Sequence, residues 1–307
     1  MAVDEWLRDT TPLATIRDYV RFGATKMSGA GVYFGHGTDN AWDEACFLVL
    51  EALDIPWSLI DQVLDAKLTV TEREQLVSLF EIRIRERIPA AYLLGKTWFA
   101  GWPFIVNENV LIPRSPIGEL IEKDFTPWLT QPPQRVLDMC TGSGCIGIAT
   151  ALRFPDAIVD LSDISPEAVD VAWQNIDYHG LEGRVQAIES DMFAALEGQV
   201  YDLIICNPPY VDAEDLSTMP KEYQYEPKQA LGSGDDGLNF TRKLLAQAKD
   251  YLSDDGVLVC EVGNSWFALE AAFSDIAFTW VDFERGGHGV FVMTAAELVV
   301  IEDLEES

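Results

Sequence analysis

Val136-Leu137-Asp138-Met139-Cys140-Thr141-Gly142-Ser143-Gly144-Cys145-Ile146-Gly147 is the stretch on which the fold turns. Aliphatic residues run into closely spaced glycines and then into Ile148-Ala149-Thr150-Ala151. That order reads as a strand, a tight turn and a helix start. Downstream the alternation repeats. Strands are expected near 135–139, 157–161, 184–189, 201–206, 255–261, 277–283 and 289–293, and helices near 144–153, 166–178, 237–251 and 264–273. Such alternation is the mark of an α/β fold: a doubly wound, Rossmann-like seven-stranded sheet with helices on both faces. Only Glu284-Arg285-Gly286-Gly287-His288 joins the last two strands, so they are expected to form an antiparallel hairpin at one edge.

Upstream, residues 1–90 read as a small helical domain. Leu13, Ile16, Tyr19, Val20 and Phe22 share a helical face, and a second helix follows Asp39-Asn40. A third opens at Thr71-Glu72, capped by Thr69 or Thr71, and runs to Arg87 before Pro89. Residues 91–114 alternate Trp98, Phe99, Trp102, Phe104 and Val106 with smaller or polar residues. They read as a linking β-hairpin with a turn at Asn107-Glu108-Asn109. Pro113-Arg114-Ser115-Pro116-Ile117-Gly118-Glu119 leads into a helix expected to reach Leu129, and Pro132-Pro133 is a linker. The acidic tail Glu302 to Ser307 is expected to fray.

Composition narrows the function classes. An apolar content of 48% is ordinary for a globular chain of 307 residues. No apolar run approaches the ~20 residues of a membrane span, and Met1-Ala2-Val3-Asp4-Glu5-Trp6 lacks the character of a signal peptide. The cytoplasm is the default compartment. Cys46, Cys140, Cys145, Cys206 and Cys260 include no Cys-x-x-Cys pair and read as buried thiols; with His36, His179 and His288 scattered, no metal site is expected. A net charge of −30 repels phosphate backbones, so direct DNA binding is not expected. It suits a basic protein partner or reflects a proteome-wide acidic bias.

The candidate chemistry lies where the strands end. Tyr201-Asp202-Leu203-Ile204-Ile205-Cys206 is a buried strand cut off by Asn207-Pro208-Pro209-Tyr210. In open α/β sheets ligands bind beyond the carboxyl ends of strands. An amide, exposed carbonyls and an aromatic ring there suit a planar NH2 group. Gly142, Gly144 and Gly147 spell a dinucleotide fingerprint and Asp163 follows at the distance of a ribose acceptor, so a nicotinamide-dependent dehydrogenase is one reading. Asp138 and Asp191 weigh against it. Three carboxylates at successive strand ends repel a pyrophosphate but fit S-adenosylmethionine, which has an ammonium, a sulfonium, a ribose and an adenine but no phosphate. A factor that binds this donor without catalysis, and an adenine methyltransferase that flips a base into the Asn-Pro-Pro-Tyr pocket, are further alternatives.

From Pro113 onward the chain resembles the protein glutamine-amide N-methyltransferases, and more loosely the likeness extends through the N-terminal helices. It is carried, in order, by the Asp138–Gly147 turn, Asp163, Asp191, Asn207-Pro208-Pro209-Tyr210, Tyr225-Glu226-Pro227 with Ala230-Leu231, and Gly234-Asp235-Asp236-Gly237-Leu238. The release-factor branch of that family has Pro-Arg-Pro-Asp-Thr-Glu after the hairpin. Pro113-Arg114-Ser115-Pro116-Ile117-Gly118-Glu119 instead resembles the branch that modifies a glutamine of the third protein of the large ribosomal subunit. The resemblance implies a helical substrate-recognition domain over 1–90, the hairpin over 91–114 and a methyltransferase domain over 115–307. It implies methyl transfer from S-adenosylmethionine, leaving S-adenosylhomocysteine, to a glutamine side-chain amide; release factors are the alternative substrate. Asp138, Thr141, Gly142, Gly144, Asp163, Asp191 and Asn207 are expected on the donor. Asn207, Pro208, Pro209 and Tyr210 are expected on the substrate, with Asn207, Pro208 and Tyr210 catalytic. Val211 to Asp236 is expected to form an acidic cover, with seven acids (Asp212, Glu214, Asp215, Glu222, Glu226, Asp235, Asp236) against Lys221 and Lys228, a net of −5 facing a basic protein.

Overall fold

The computed structural model describes Trp6 and residues 9–299. The tail from Glu302 to Ser307 and the stretch Met1 to Glu5 lie outside them. The chain divides into two compact units: one holds the residues up to Thr97 together with Pro220–Tyr225, the other Trp98–Met219 and the residues from Glu226 onward. Among the described residues no helix is long and apolar enough to cross a membrane.

In the first unit, α1 (Ile16–Gly29), α2 (Ala41–Ala52), α3 (Ile60–Val63), α4 (Val70–Glu86) and α5 (Ala90–Leu94) surround Tyr19, Phe22, Leu48, Leu76 and Phe80. Thr15 with Asp18, and Thr69 with Glu72, close capping boxes at α1 and α4, so Thr69 and not Thr71 is the cap. Asn40 caps α2 by accepting from the amides of Trp42 and Asp43. Arg83 is fully buried on α4. Its Nε donates to Glu44 Oε1 at 2.7 Å, and Glu222 Oε1 lies 3.7 Å from its Nη1.

The hairpin is tighter than the sequence reading expects. β1 (Lys96–Phe99) and β2 (Trp102–Ile105) turn at Ala100-Gly101, not at Asn107-Glu108-Asn109. Both turn residues take positive φ (46° and 83°), the geometry of a two-residue loop whose twist matches its strands. Asn107 instead forms a side-chain turn, accepting from the Asn109 amide at 3.0 Å. The next helix, α6 (Ile117–Glu122), stops short of Leu129 because Asp124 and Phe125 adopt left-handed φ of 57° and 53°.

The sheet has the order β5-β4-β3-β6-β7-β9-β8, from β3 (Arg135–Met139), β4 (Ile158–Asp163), β5 (Val185–Glu189), β6 (Tyr201–Cys206), β7 (Leu252–Glu261), β8 (Thr279–Trp280) and β9 (Val290–Thr294). The first five in that order run parallel; β9 is antiparallel to β7, and β8 to β9. Side chains alternate between two cores. Val136, Leu203, Ile205, Val257 and Val259 join α6, α7 (Cys145–Arg153) and α8 (Pro166–His179). Leu137, Ile204, Cys206, Leu258 and Cys260 join α10 (Asn239–Gln247) and α11 (Trp266–Ala272). A period of two with both faces apolar is what a strand covered on both sides requires. Strand order reverses between β3 and β6. Met139 pairs with Cys206, so the glycine turn and the Asn207 tetrapeptide leave the sheet side by side at the switch point.

Candidate methyl-donor and amide site

Beyond Met139 the backbone takes positive φ at Cys140, Gly142 and Gly144, and Gly144 caps α7. One turn into α7, a Cβ on Gly147 would lie 2.1 Å from Leu161 Cδ2 and 2.8 Å from Asp138 Cβ. Glycine is therefore required for α7 to lie close on the strands.

The acids at the strand ends do different work. Asp138 is 1% exposed. Its Oδ2 accepts from Thr141 Oγ1 at 2.5 Å and from the Gly147 amide at 2.8 Å, while Oδ1 is buried without a hydrogen-bond partner among the described residues. Burial pushes this carboxyl up to about 7. Asp138 thus sits behind the turn and braces it. Asp163 does line the cleft; its Oδ2 accepts from the Gly142 amide at 2.9 Å and its Oδ1 from the Ser165 amide at 3.0 Å. Burial raises its pKa as well. Asp191 is exposed beyond β5 and is not among the residues lining the cleft.

These contacts test the dinucleotide reading. A pyrophosphate needs unoccupied N–H groups at the turn. Here the Gly142 and Gly147 amides are held by carboxylates, and those of Thr141 and Gly144 by the carbonyls of Ser162 and Thr141. Arg114 is the cation in the lining, and buried Glu226 neutralises it: Glu226 accepts from Arg114 Nη1 at 2.6 Å and Nη2 at 2.8 Å, and from the Ile112 amide at 3.0 Å. The lining thus presents its ligand with the Asp163 carboxylate and a cation already neutralised.

The cleft is open to solvent at its mouth. Its floor is Cys140–Ser143, with Asp163–Ser165 on one side. Asn109–Leu111 and Pro113–Ser115 form one wall, and Pro227, Gln229 and Ala230 another. Asn207 and Pro209 complete it. Asn207 Oδ1 is buried and lacks a partner among the described residues. Pro208 is buried and Tyr210 half-buried, its hydroxyl donating to Glu261 Oε1 at 2.9 Å. Thr141, Gly142, Asp163, Asn207 and Pro209 are thus brought together, with Asp138 beneath them.

The acidic cover needs correction. Val211 to Asp236 contains α9 (Ala213–Thr218) and short 3-10 turns. Glu222 and Glu226 are buried: Glu222 accepts from the Tyr33 amide at 3.0 Å, and Glu226 holds Arg114. Asp236 is paired with Arg242. Asp212 caps α9, accepting from the Asp215 amide at 2.8 Å, so four of the seven acids serve internal cations or amides, and the segment presents less negative charge than its composition implies.

Sequence reasoning read Glu226 as part of the acidic cover and Ser115 as part of a branch signature, and did not single out Glu261. Glu261 carried one legible signal, an acid closing the apolar run Val257–Cys260 as Asp138 closes Val136-Leu137.

A family model described as the methyltransferase small domain matches residues 125–223. A ribosomal protein uL3 glutamine methyltransferase of Francisella tularensis is 48% identical over 293 residues, covering 95% of this chain and 93% of that protein. One of the same name from Bordetella pertussis is 44% identical over 93% of this chain and 97% of its own length. A methyltransferase structure from Pyrococcus furiosus superposes with a TM-score of 0.45 at 17% identity, covering 62% of this chain and 88% of that one.

Proposed function

Since the chain belongs to the family of ribosomal protein uL3 glutamine methyltransferases, we propose that it transfers a methyl group from S-adenosylmethionine to the side-chain amide nitrogen of a glutamine in the third protein of the large ribosomal subunit. The observation that carries the site is Asn207 Oδ1: a buried acceptor without a partner, beside a turn braced by carboxylates. Leaving such an atom unpaired costs about 1–3 kcal/mol, which an incoming N–H recovers.

The donor supplies a methyl carbon made electrophilic by a positively charged sulfur. The residues of the chain must then manage a poor nucleophile, because the lone pair of an amide nitrogen is delocalised into its carbonyl. Asn207 Oδ1 and the Pro208 carbonyl each accept one hydrogen of the glutamine NH2, which orients the nitrogen and stabilises positive charge as it grows there. Tyr210 bounds the flat amide and its aliphatic stem. The proton leaves after transfer, so no carboxylate base is required. Asp163 lines the cleft and faces the ribose hydroxyls, and Thr141 and Gly142 shape the floor under the donor. The net charge of −30 supports a basic substrate, and a ribosomal protein substrate supports a cytoplasmic enzyme.

Asn207→Ala tests the assignment. Expected is a fall in turnover of roughly a hundredfold, far larger than any loss of donor affinity, read by labelled-methyl incorporation into purified uL3 and by titration calorimetry with the donor. Lost donor affinity with turnover kept overturns the role of Asn207; labelling of release factors and not of uL3 overturns the substrate.

A further inference from the structure

One buried carboxylate ties the tetrapeptide to the opposite wall of the cleft. Glu261, the last residue of β7, accepts from Tyr210 through Oε1 at 2.9 Å and from Ser115 Oγ through Oε2 at 2.6 Å. Ser115 is the neighbour of Arg114 and itself lines the cleft. The Tyr210 ring is seated on Gly263, where a Cβ would come within 2.5 Å of Cε2 and where φ is +46°. The Tyr210 carbonyl accepts from Ser265 Oγ at 2.7 Å. A carboxylate buried here without a direct ion pair is costly to maintain, and an apolar side chain of the same size avoids that cost. Two directional hydroxyl contacts, one to the tetrapeptide and one to a residue lining the cleft, are what such a side chain cannot replace.

We propose that Glu261 is a positioning residue for methyl transfer: it fixes the Tyr210 ring and, through Ser115, the Arg114–Ser115 wall in one geometry around the substrate amide. The proposal rests on the reading of Asn207-Pro208-Pro209-Tyr210 as the amide site. It makes activity depend on the ionisation of Glu261, since only the carboxylate accepts both hydroxyls. The groups facing it are Tyr210 beyond β6, Ser115 and Arg114 before α6, and His288 before β9. Burial raises the Glu261 pKa, opposed by the hydroxyls of Ser115 and Tyr210 and by the charges of Arg114 and His288.

The test is a double-mutant cycle in the full-length enzyme with purified uL3 and S-adenosylmethionine. Glu261→Ala and Tyr210→Phe should each lower kcat by roughly ten- to a hundredfold, the worth of a hydrogen bond to a charged group. The double variant should be no worse than the weaker single one, and any loss of donor affinity should stay small beside the fall in kcat. Glu261→Gln, which keeps an acceptor for Tyr210, should recover most of kcat and lack the acid limb that the wild type shows as pH falls through the raised Glu261 pKa. Ser115→Ala, the mildest change, should lower kcat, with any loss of donor affinity small beside it. Losses that multiply in the double variant, an unchanged kcat in Glu261→Ala, or an acid limb retained by Glu261→Gln overturn the proposal. If Glu261→Ala does not fold, Glu261→Gln and Ser115→Ala decide it alone. A wild type that leaves uL3 unmodified defeats the functional reading instead, before any variant is compared.

Discussion

Replacing Glu226 by alanine removes a fully buried side chain that accepts from Arg114 Nη1 and Nη2 and from the Ile112 amide. Ile112 is buried, so its N–H loses its partner where water does not replace it. Arg114 keeps 23% of its side-chain surface and a contact of 3.3 Å to the Ile112 carbonyl, so its charge is partly relieved. Breaking one partner of a buried ion pair costs ~3–5 kcal/mol, and partial exposure of Arg114 puts this pair at the lower end, about 3 kcal/mol. In a unit of about 200 residues that corresponds to a fall of roughly 6–12 °C in Tm. Glu226→Gln retains one acceptor and should cost about 1–2 kcal/mol. The Arg114→Met/Glu226→Leu pair, which leaves neither charge behind, should be less damaged than Glu226→Ala, its remaining cost being that of the unpaired Ile112 N–H, at the lower end of about 1–3 kcal/mol. Urea unfolding followed by far-UV circular dichroism reads all three. The variants with alanine or glutamine should also bind the donor more weakly, because Pro113–Ser115 and Pro227–Ala230 are walls of its cleft. A Glu226→Ala cost below about 1 kcal/mol, or a double variant as damaged as the single one, refutes the reasoning.

Further outcomes follow from the same contacts. Gly147→Ala, whose Cβ would meet Leu161 and Asp138, should destabilise by ~1–3 kcal/mol and shrink the thermal shift given by S-adenosylmethionine. Asp138 has a carboxyl raised to about 7 in the folded state against 3.8 unfolded, so its contribution is complete at low pH and is lost as pH rises toward and through 7. The loss is on the order of 4 kcal/mol at full ionisation. Urea midpoints between pH 4 and 8 should therefore slope down more steeply in the wild type than in Asp138→Asn, and parallel slopes would defeat the linkage. The apparent KM for a basic uL3 segment should rise with salt as screening grows, while the donor Kd stays nearly constant; a salt-independent KM removes the electrostatic account of the acidic surface.

The parts of the fold most legible in the sequence are those whose signal is local. β3 and β6 begin and end where an apolar period bounded by glycines or prolines puts them, and the register Met139↔Cys206 then sets Asn207 beside the glycine turn. The hairpin turn was harder: Ala100-Gly101 carries a single glycine, whereas Asn107-Glu108-Asn109 has stronger turn chemistry that the chain spends on a side-chain turn. Pairings across long separations leave no periodic trace. Tyr33 and Glu222 are 189 positions apart, Arg114 and Glu226 112, Ser115 and Glu261 146. Counted in composition, Glu222 and Glu226 are surface charge; only tertiary contacts show them to be buried braces.

That Pro220–Tyr225 belongs with the N-terminal helices makes the first unit discontinuous in sequence. The chain leaves the second unit after Met219 and returns to it at Glu226, so neither unit can be excised with one cut. A fragment beginning at Trp98 would carry Glu222 without Arg83 and Tyr33, and a fragment ending at Thr97 would hold Arg83 with only one of its two carboxylates. Recombination between relatives at the hairpin must therefore exchange two segments together, and the short stretches flanking 220–225 are constrained in length as well as in residue type.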